Sequence, residues 1–308
     1  MRQNLPVATT LCSLTILGLT ACSTGGGSRL GGWSGETPVT MNSLPPGQQL
    51  QITRGQGLET ATVAAGPTLQ IDETETDAEL AKTEEGFILL LPDGRTAAIL
   101  NDQMGENEDP TAPDGASEAT SEVSAGTDRI HIAMHGESYG LRYSEFGGWD
   151  ISTAEDDVTS VAAWATGIAT AGADMPTSGT ASYTGGAQGY ATVGGVTSTF
   201  SGAASLTADF SGGNIQGEIT DIRTATVGSA AIDGGMNDID LAGVITVGDI
   251  TGEATAAANS GESLDISGAT GSFGGKFFGP QAAEVAGSFS LSGGSQNVEL
   301  IGSFGAGK

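Results

Sequence analysis

The chain has 308 residues and is rich in small residues, with 50 glycines and only 5% aromatics. Its 10 basic residues against 37 acidic ones give a formal net charge of −27. Such a charge repels phosphates and anionic headgroups and therefore argues against binding to nucleic acid. Glycine at this level without a Gly-X-Y period also excludes collagen. A saline habitat would account for the acidic surface without any role in binding.

The first predicted element is a secretory signal. Arg2 supplies a positive charge, and the apolar stretch from Leu5 to Leu19 is too short for a permanent membrane helix. The stretch ends in Leu-Thr-Ala-Cys22, which resembles the lipobox of bacterial lipoproteins. Residues 1–21 are therefore predicted to be a cleaved signal peptide, with Cys22 as the acylated first residue of the mature chain. The alternative is an ordinary secretory signal with a chance cysteine.

Acylation of Cys22 predicts an anchor in a lipid bilayer outside the cytoplasm. Each buried CH₂ contributes about 0.8 kcal/mol, so several acyl chains, palmitate among them, would hold the protein firmly. Ser23 rather than Asp follows the cysteine, as in lipoproteins that are sorted to the outer membrane. Cys12 would leave with the signal peptide, so the mature chain would have no thiol for a disulfide, for catalysis or for a cysteine-based metal site.

A tether and a strand-rich domain are predicted next. Residues 22–48 are rich in Gly, Ser and Pro and cannot bury a core, so they are predicted to be a flexible tether. Residues 49–176 are predicted to form a mostly β domain. Within it, residues 101–128 are acidic, contain Pro and Gly and lack apolar periodicity, which predicts a long loop.

Two local elements are predicted ahead of that loop. Residues 87–91 are a short apolar run followed by Pro-Asp-Gly, which predicts a hairpin with residues 95–100 as the returning strand. Residues 76–85 are predicted to form a short helix with acidic residues on most of its faces.

The two histidines of the chain follow the loop. The segment predicts a strand whose apolar face carries Ile130, Ile132 and Met134. His131 and His135 would both lie on its polar face. Their separation would be about 13 Å by strand rise, too far for them to share one metal ion. They are therefore predicted to be solvated or locally bonded, and the alternative is a ligand to haem or a metal.

Motifs of enzymes are absent from the sequence. There is no Gly-x-Ser-x-Gly, P-loop or His-Glu-x-x-His, and the many carboxylates leave no acid–base pair that stands out. Asn237-Asp-Ile-Asp240 could supply oxygens to Ca²⁺, but it lacks an EF-hand loop, and alternation places Asp238 and Asp240 towards solvent. The prediction is a protein that is not an enzyme and has no cofactor.

Residues 177–308 alternate between apolar and polar side chains. One face of a predicted strand carries Ala204, Leu206, Ala208 and Phe210. The same period of two recurs at 215–219, 239–247 and 298–304, and it is typical of half-buried antiparallel strands. Because the open edges of so regular a sheet would invite aggregation, the pattern favours closure into a barrel.

Several stretches of this region also carry a family resemblance. They are Met175 to Gly185, Ala204 to Ile219, Phe273 to Gly287 and Gly302 to Gly305. Together they resemble the β-barrel lobe of transferrin-binding protein B and its smaller single-lobe relatives among surface lipoproteins, and residues 141–149 resemble the segment before that barrel. The resemblance implies an all-β fold, with a C-terminal eight-stranded antiparallel β-barrel beside an N-terminal, mostly β handle domain.

The function that the resemblance implies is binding. Its characterised members bind host transferrin, haem carriers or complement regulators. An outer-membrane lipoprotein is implied that faces the cell exterior, binds a host or environmental protein or a haem- or iron-bearing carrier, and works with a TonB-dependent receptor. This chain has one lobe where transferrin-binding protein B has two, so transferrin itself is not carried over. The alternative is an acidic structural or protective surface lipoprotein, or an adhesin, without a specific small ligand.

Tyr143, Phe146 and Trp149 are the candidate binding residues. They place three aromatics within seven residues, and exposed aromatics are common anchors of binding surfaces. Loops near residues 276–284 are a second predicted contact region. The alternative for the three aromatics is a packing seam between handle and barrel. Leu, Ile and Phe are predicted to fill the barrel, although inward Gly and Ala would leave some room for an internal pocket.

The lipid anchor is tested by Cys22→Ala. Because only the thiol of Cys22 can accept the lipid, this variant should lose labelling by radioactive palmitate and be released or remain unprocessed. Fractionation and labelling of cells that produce either form would measure this. Normal processing and membrane association of the variant would contradict the lipobox assignment.

Overall fold

The structure is a computed structural model that describes residues 39–52, 60–64, 68–72, 78–91, 96–100, 129–152, 158–226, 233–258 and 262–308. The predicted signal peptide, Cys22, most of the tether and the acidic loop lie outside these residues. Strands dominate the described part, with short 3₁₀ turns at Met41–Ser43, Glu137–Tyr139 and Gly172–Asp174. None of its helical segments has the length and apolar character needed to cross a membrane.

The N-terminal strands build two antiparallel sheets, here called the handle. In chain order they are β1 (Gln49–Gln51), β2 (Thr60–Ala64), β3 (Thr68–Asp72), β4 (Glu79–Lys82), β5 (Gly86–Leu90), β6 (Thr96–Leu100), β7 (Arg129–Met134), β8 (Ser144–Ser152) and β9 (Val158–Gly167). One sheet has the order β1-β4-β5-β6 and the other the order β3-β2-β9-β8-β7.

Strand β9 of the five-stranded handle sheet is buried on both faces. Along β9, Ala162 and Trp164 belong to the core shared with the four-stranded sheet. The intervening residues Val161 and Ala163 pack instead with Ile301 from the C-terminal domain. Because successive side chains of a strand point to opposite faces, this sheet is the middle layer of the molecule.

The C-terminal strands form a closed barrel. They are β10 (Thr180–Val193), β11 (Val196–Asp209), β12 (Asn214–Thr226), β13 (Gly234–Gly235), β14 (Ile239–Thr246), β15 (Asp249–Ala256), β16 (Ala269–Phe278), β17 (Glu284–Gly293) and β18 (Val298–Gly307). The two-residue β13 lies beside β12, and the other eight strands pair antiparallel in a ring. Pairing of β18 with β10, for example Phe304 with Ala187, closes that ring.

Apolar side chains fill the interior of the barrel. Phe200, Phe273, Phe289 and Phe304 are fully buried in one continuous core. Their rings meet in tilted pairs, with centroids 6.2 Å apart for Phe200 and Phe289 and 6.3 Å apart for Phe273 and Phe304. Aromatic pairs at this spacing add to the burial of apolar area, so the interior is a packed core.

The predicted fold class is confirmed: the part of the chain that the structure describes is all-β, with a closed eight-stranded antiparallel barrel preceded by a separate β region. The alternation read from the sequence is also found, because Ala204, Leu206 and Ala208 are buried in the barrel. The predicted hairpin is present as well, since β5 pairs with β6 and places Phe87 opposite Ile99.

The predicted helix at residues 76–85 is wrong. Glu79–Lys82 form β4, which lies between β1 and β5. Leu80 is completely buried in the handle core, and Lys82 places its ammonium 4.2 Å from the centroid of the Phe87 ring. Pairing with two neighbouring strands therefore overrides the weak helical tendency of this segment.

Closure of the barrel is tested by deletion of residues 298–308. Loss of β18 would leave β10 and β17 as open edges and remove buried side chains such as Leu300 and Phe304, so the cooperative thermal transition should be lost. Circular dichroism melting would measure it, with deletion of residues 102–112 of the acidic segment as a control of equal length. A cooperative transition in the 298–308 deletion would contradict closure.

Candidate functional site

The three candidate binding aromatics are buried. Tyr143 is 8% exposed, Phe146 0% and Trp149 2%. Trp149 lies in the core between the two handle sheets. Tyr143 and Phe146 pack with Phe278 and Ala286 of the barrel, in a contact region here called the seam. Tyr143 and Phe146 therefore lie in a packing seam between handle and barrel, and their rings do not form an exposed surface of the handle.

Glycines of the barrel receive the aromatic rings of the seam. A Cβ at Gly305 would overlap the ring of Phe146, and a Cβ at Gly186 would overlap the ring of Tyr139. The rings of Tyr139 and Phe146 also meet each other, with centroids 5.7 Å apart. Both glycines therefore permit a close approach of the handle to the outer wall of the barrel.

A single carboxylate of the barrel binds the handle backbone at the seam. Glu284, the first residue of β17, is 5% exposed. Its Oε1 accepts from the Arg142 N–H at 2.7 Å, and its Oε2 accepts from the N–H groups of Tyr143 at 3.0 Å and Ser144 at 2.9 Å. Ser144 Oγ also donates to Oε2 at 2.8 Å. Hydrogen bonds to an ionised acceptor are stronger than neutral ones, so Glu284 is the main polar anchor of the handle.

The histidines occupy the strand that was predicted, but not both on an open face. His131 lies on β7 with its side chain 34% exposed, and its Nδ1 is 3.0 Å from Asp150 Oδ2. His135 follows the strand, is 3% exposed, and is joined to Gln188 of the barrel by a hydrogen bond of 3.0 Å. Of the predicted alternatives, solvated or locally bonded, His135 is bonded, because the barrel covers that side of the handle sheet.

In the Asn237-Asp-Ile-Asp240 segment, the side-chain amide of Asn237 forms hydrogen bonds within the barrel domain. Asn237 is 1% exposed, its Oδ1 accepts from the Ile266 N–H at 2.8 Å, and its Nδ2 donates to Ser267 Oγ at 3.2 Å. Over the residues that the structure describes, no group of three or more His, Cys, Asp or Glu side chains is placed to hold a metal ion.

An exposed apolar feature lies at one end of the barrel, in the turn between β14 and β15. Val247 is 84% exposed and Val244 is 50% exposed. Val247 has φ of 52° and Gly248 φ of 92°, so both central residues of this two-residue turn lie in the left-handed region. A β-branched residue rarely adopts that conformation, whereas Asn-Gly is the favoured pair for such a turn.

The second predicted contact region, residues 276–284, is divided by the structure. Lys276 lies near the exposed turn, where its ammonium pairs with Asp249 at 2.7 Å and its side chain is 40% exposed. Glu284, at the other end of the region, is buried in the seam. The region therefore combines accessible positions, at Lys276 and Gln281, with buried ones such as Glu284.

The chain thus combines a handle of two β-sheets with a closed β-barrel whose interior is filled by its own side chains. Residues 175–308 match the sequence model of the family described as the C-lobe and N-lobe beta barrels of Tf-binding protein B. The resemblance noted in the sequence is thereby confirmed, and the matched segment corresponds to the barrel. No curated protein matches the chain.

Solved structures to which the chain is similar include lobes and whole chains of transferrin- and lactoferrin-binding proteins. Transferrin Binding Protein B of Haemophilus parasuis is 16% identical, with 84% of this chain and 60% of that chain covered and a TM-score of 0.46. Isotype 1 of the same protein from Neisseria meningitidis is 18% identical, with 83% and 58% covered and a TM-score of 0.42. The N-lobe of Lactoferrin Binding Protein B of Moraxella bovis is 13% identical, with 85% and 99% covered and a TM-score of 0.39. The present chain thus spans about three fifths of the length of the two transferrin-binding proteins.

The anchoring role of Glu284 is tested by Glu284→Ala. The change leaves the buried N–H groups of residues 143 and 144 and the partly buried one of residue 142 without their acceptor. It should lower the free energy of unfolding by about 3 kcal/mol. Urea denaturation would measure the loss. Glu253→Ala is a matched control, because Glu253 is exposed on the wall of the barrel. Equal stability of the two variants would contradict the role of Glu284.

Proposed function

We propose that this chain is a lipid-anchored outer-membrane lipoprotein that faces the cell exterior and binds a host or environmental protein, or a haem- or iron-bearing carrier, for uptake with a TonB-dependent receptor. The match of residues 175–308 to the barrels of transferrin-binding protein B is the observation that carries this proposal. The lipobox at Cys22 and the Gly- and Ser-rich residues after it support a tethered position at a membrane.

The partner would bind on the outside of the barrel. The barrel interior is occupied by its own side chains, and the aromatics near the handle are buried in the seam. The exposed turn at Val247 offers an apolar surface instead. A strained, solvent-exposed valine has no evident benefit for folding, and backbone strain of this kind is often retained at sites of contact. We therefore assign the partner surface to this end of the barrel, around Val244 and Val247.

A second candidate function is a structural or protective surface protein without a specific ligand. The filled barrel interior favours it, because there is a packed core where a small ligand would otherwise be held. The net charge of −27 would suit an acidic, hydrated coat. The two candidates differ in whether one particular surface is needed for capture of a partner.

Val247→Asn separates strain from function. Asn adopts the left-handed region readily, so this variant should raise the free energy of unfolding by about 1 kcal/mol while it weakens capture of proteins from host fluid by the immobilised chain. Val196→Asn is the control: Val196 is 48% exposed at the opposite end of the barrel, in an ordinary strand conformation. It should leave capture unchanged.

Urea denaturation and quantified pull-down would measure the two effects. Specific capture that Val247→Asn does not weaken would move the partner surface elsewhere. Absence of specific capture by the unaltered chain would overturn the binding function in favour of the coat.

A further inference from the structure

A cavity of about 300 Å³ opens beside the seam, between the 3₁₀ turn Met41–Ser43 and the segment 137–145. Its walls include Met41, Asn42, Glu137, Leu141, Arg142 and Glu145. This volume is at the lower end of the range of small-molecule sites, which combine apolar walls with a few polar groups.

Glu145 lines this cavity with a carboxylate that is only partly satisfied. The residue is 6% exposed, and its Oε2 accepts a hydrogen bond from the Gly136 N–H at 2.9 Å. Its Oε1 has no hydrogen-bond partner among the described residues. The neighbouring Glu284, by contrast, uses both of its oxygens. Because Oε1 is not among the buried atoms that lack a partner, it is accessible, and a ligand in the cavity that Glu145 lines could donate to it.

The charged side chains that line the cavity have a net charge of about −1 when Glu145 is ionised. Burial raises the pKa of the Glu145 carboxyl to about 8; the Gly136 N–H opposes this, whereas Glu137 and Glu284 add to it. The titratable or charged groups on the elements around it are His135, Glu137, Tyr139, Arg142 and Glu284. Once Glu145 is ionised, the two carboxylates that line the cavity exceed the one guanidinium by a single charge. A monovalent cation would restore neutrality.

The walls of the cavity indicate an organic cation. Met41 is 2% exposed and Leu141 is 7% exposed, so both present apolar surface from the interior of the fold. A hard metal ion prefers several carboxylate ligands, and the described residues hold no group of three or more His, Cys, Asp or Glu side chains placed to bind one. An alkyl chain that ends in NH₃⁺ fits both the apolar wall and the carboxylate of the cavity. Its stem can pack on apolar atoms while its NH₃⁺ group donates hydrogen bonds.

We propose that this cavity binds a primary alkylammonium group, whose NH₃⁺ donates to Glu145 Oε1 and whose alkyl stem packs on Met41 and Leu141. The ligand is a free amine or the side chain of a lysine on another protein, which present the same chemistry. This site is separate from the exposed turn at Val247, so its existence does not depend on the proposed function.

Calorimetric titration of the full-length chain in nonionic detergent tests the site. The probes are n-butylammonium, Nα-acetyl-lysine N-methylamide and, as a neutral isostere, n-butanol. Since only the ionised carboxylate binds the cation, the affinity for n-butylammonium should rise about 50-fold between pH 6 and pH 8. At pH 7, binding should release close to one proton, which is measured in two buffers of different ionisation enthalpy. The n-butanol probe should not bind.

Glu145→Gln should abolish the pH dependence and weaken binding of n-butylammonium at pH 8 at least tenfold. The Gln Oε1 can still accept from the Gly136 N–H, so the fold should persist. Glu253→Gln, which changes an exposed carboxylate on the barrel, should bind as the unaltered chain does. If Glu145→Gln fails to fold, the proton release and pH profile of the unaltered chain decide the matter.

The two ligand sources give different results. Binding of n-butylammonium without binding of the capped lysine assigns the cavity to a free amine, whereas comparable binding of both assigns it to a lysine side chain. No binding of either amine, binding of n-butanol as strong as that of n-butylammonium, or unchanged affinity in a folded Glu145→Gln variant would overturn the proposal.

Discussion

The Glu284 carboxylate accepts hydrogen bonds from three backbone N–H groups where the handle packs on the barrel. These N–H groups belong to Arg142, Tyr143 and Ser144. An unpaired buried donor costs about 1–3 kcal/mol, so the handle can approach the barrel closely only where this carboxylate is available. The aromatic rings of the seam then face glycines that leave space for them. One anchor therefore fixes the position at which an otherwise apolar contact forms.

The barrel could be predicted from sequence because each of its strands has one apolar and one polar face. Leu206 and Phe289 are inward, as alternation requires. Alternation placed His135 on the polar face of its strand but could not show that this face meets the barrel, where His135 is joined to Gln188. The candidate aromatics show the same limit: Tyr143 and Phe146 are buried by the barrel that follows them in the chain, and Trp149 is buried between the two handle sheets.

Glu284 and Glu145 could not be singled out from the sequence. The chain has 37 acidic residues, and nothing local distinguishes these two from carboxylates on the surface. The partners of Glu284 lie about 140 residues earlier in the chain, so only tertiary structure assigns its role. The strand at Glu79–Lys82 was missed for a related reason, since its state is set by β1 and β5 rather than by its own composition.

Closure of the barrel through β10 and β18 has a consequence for biosynthesis. The pair Ala187 and Phe304 joins the first and last strands of the ring, so the hydrophobic core stays open until β18 has left the ribosome. Contacts this distant in sequence make folding slow, because the entropy of a long loop must be lost before they form. A nascent chain therefore cannot complete its barrel before the last strand has been synthesised.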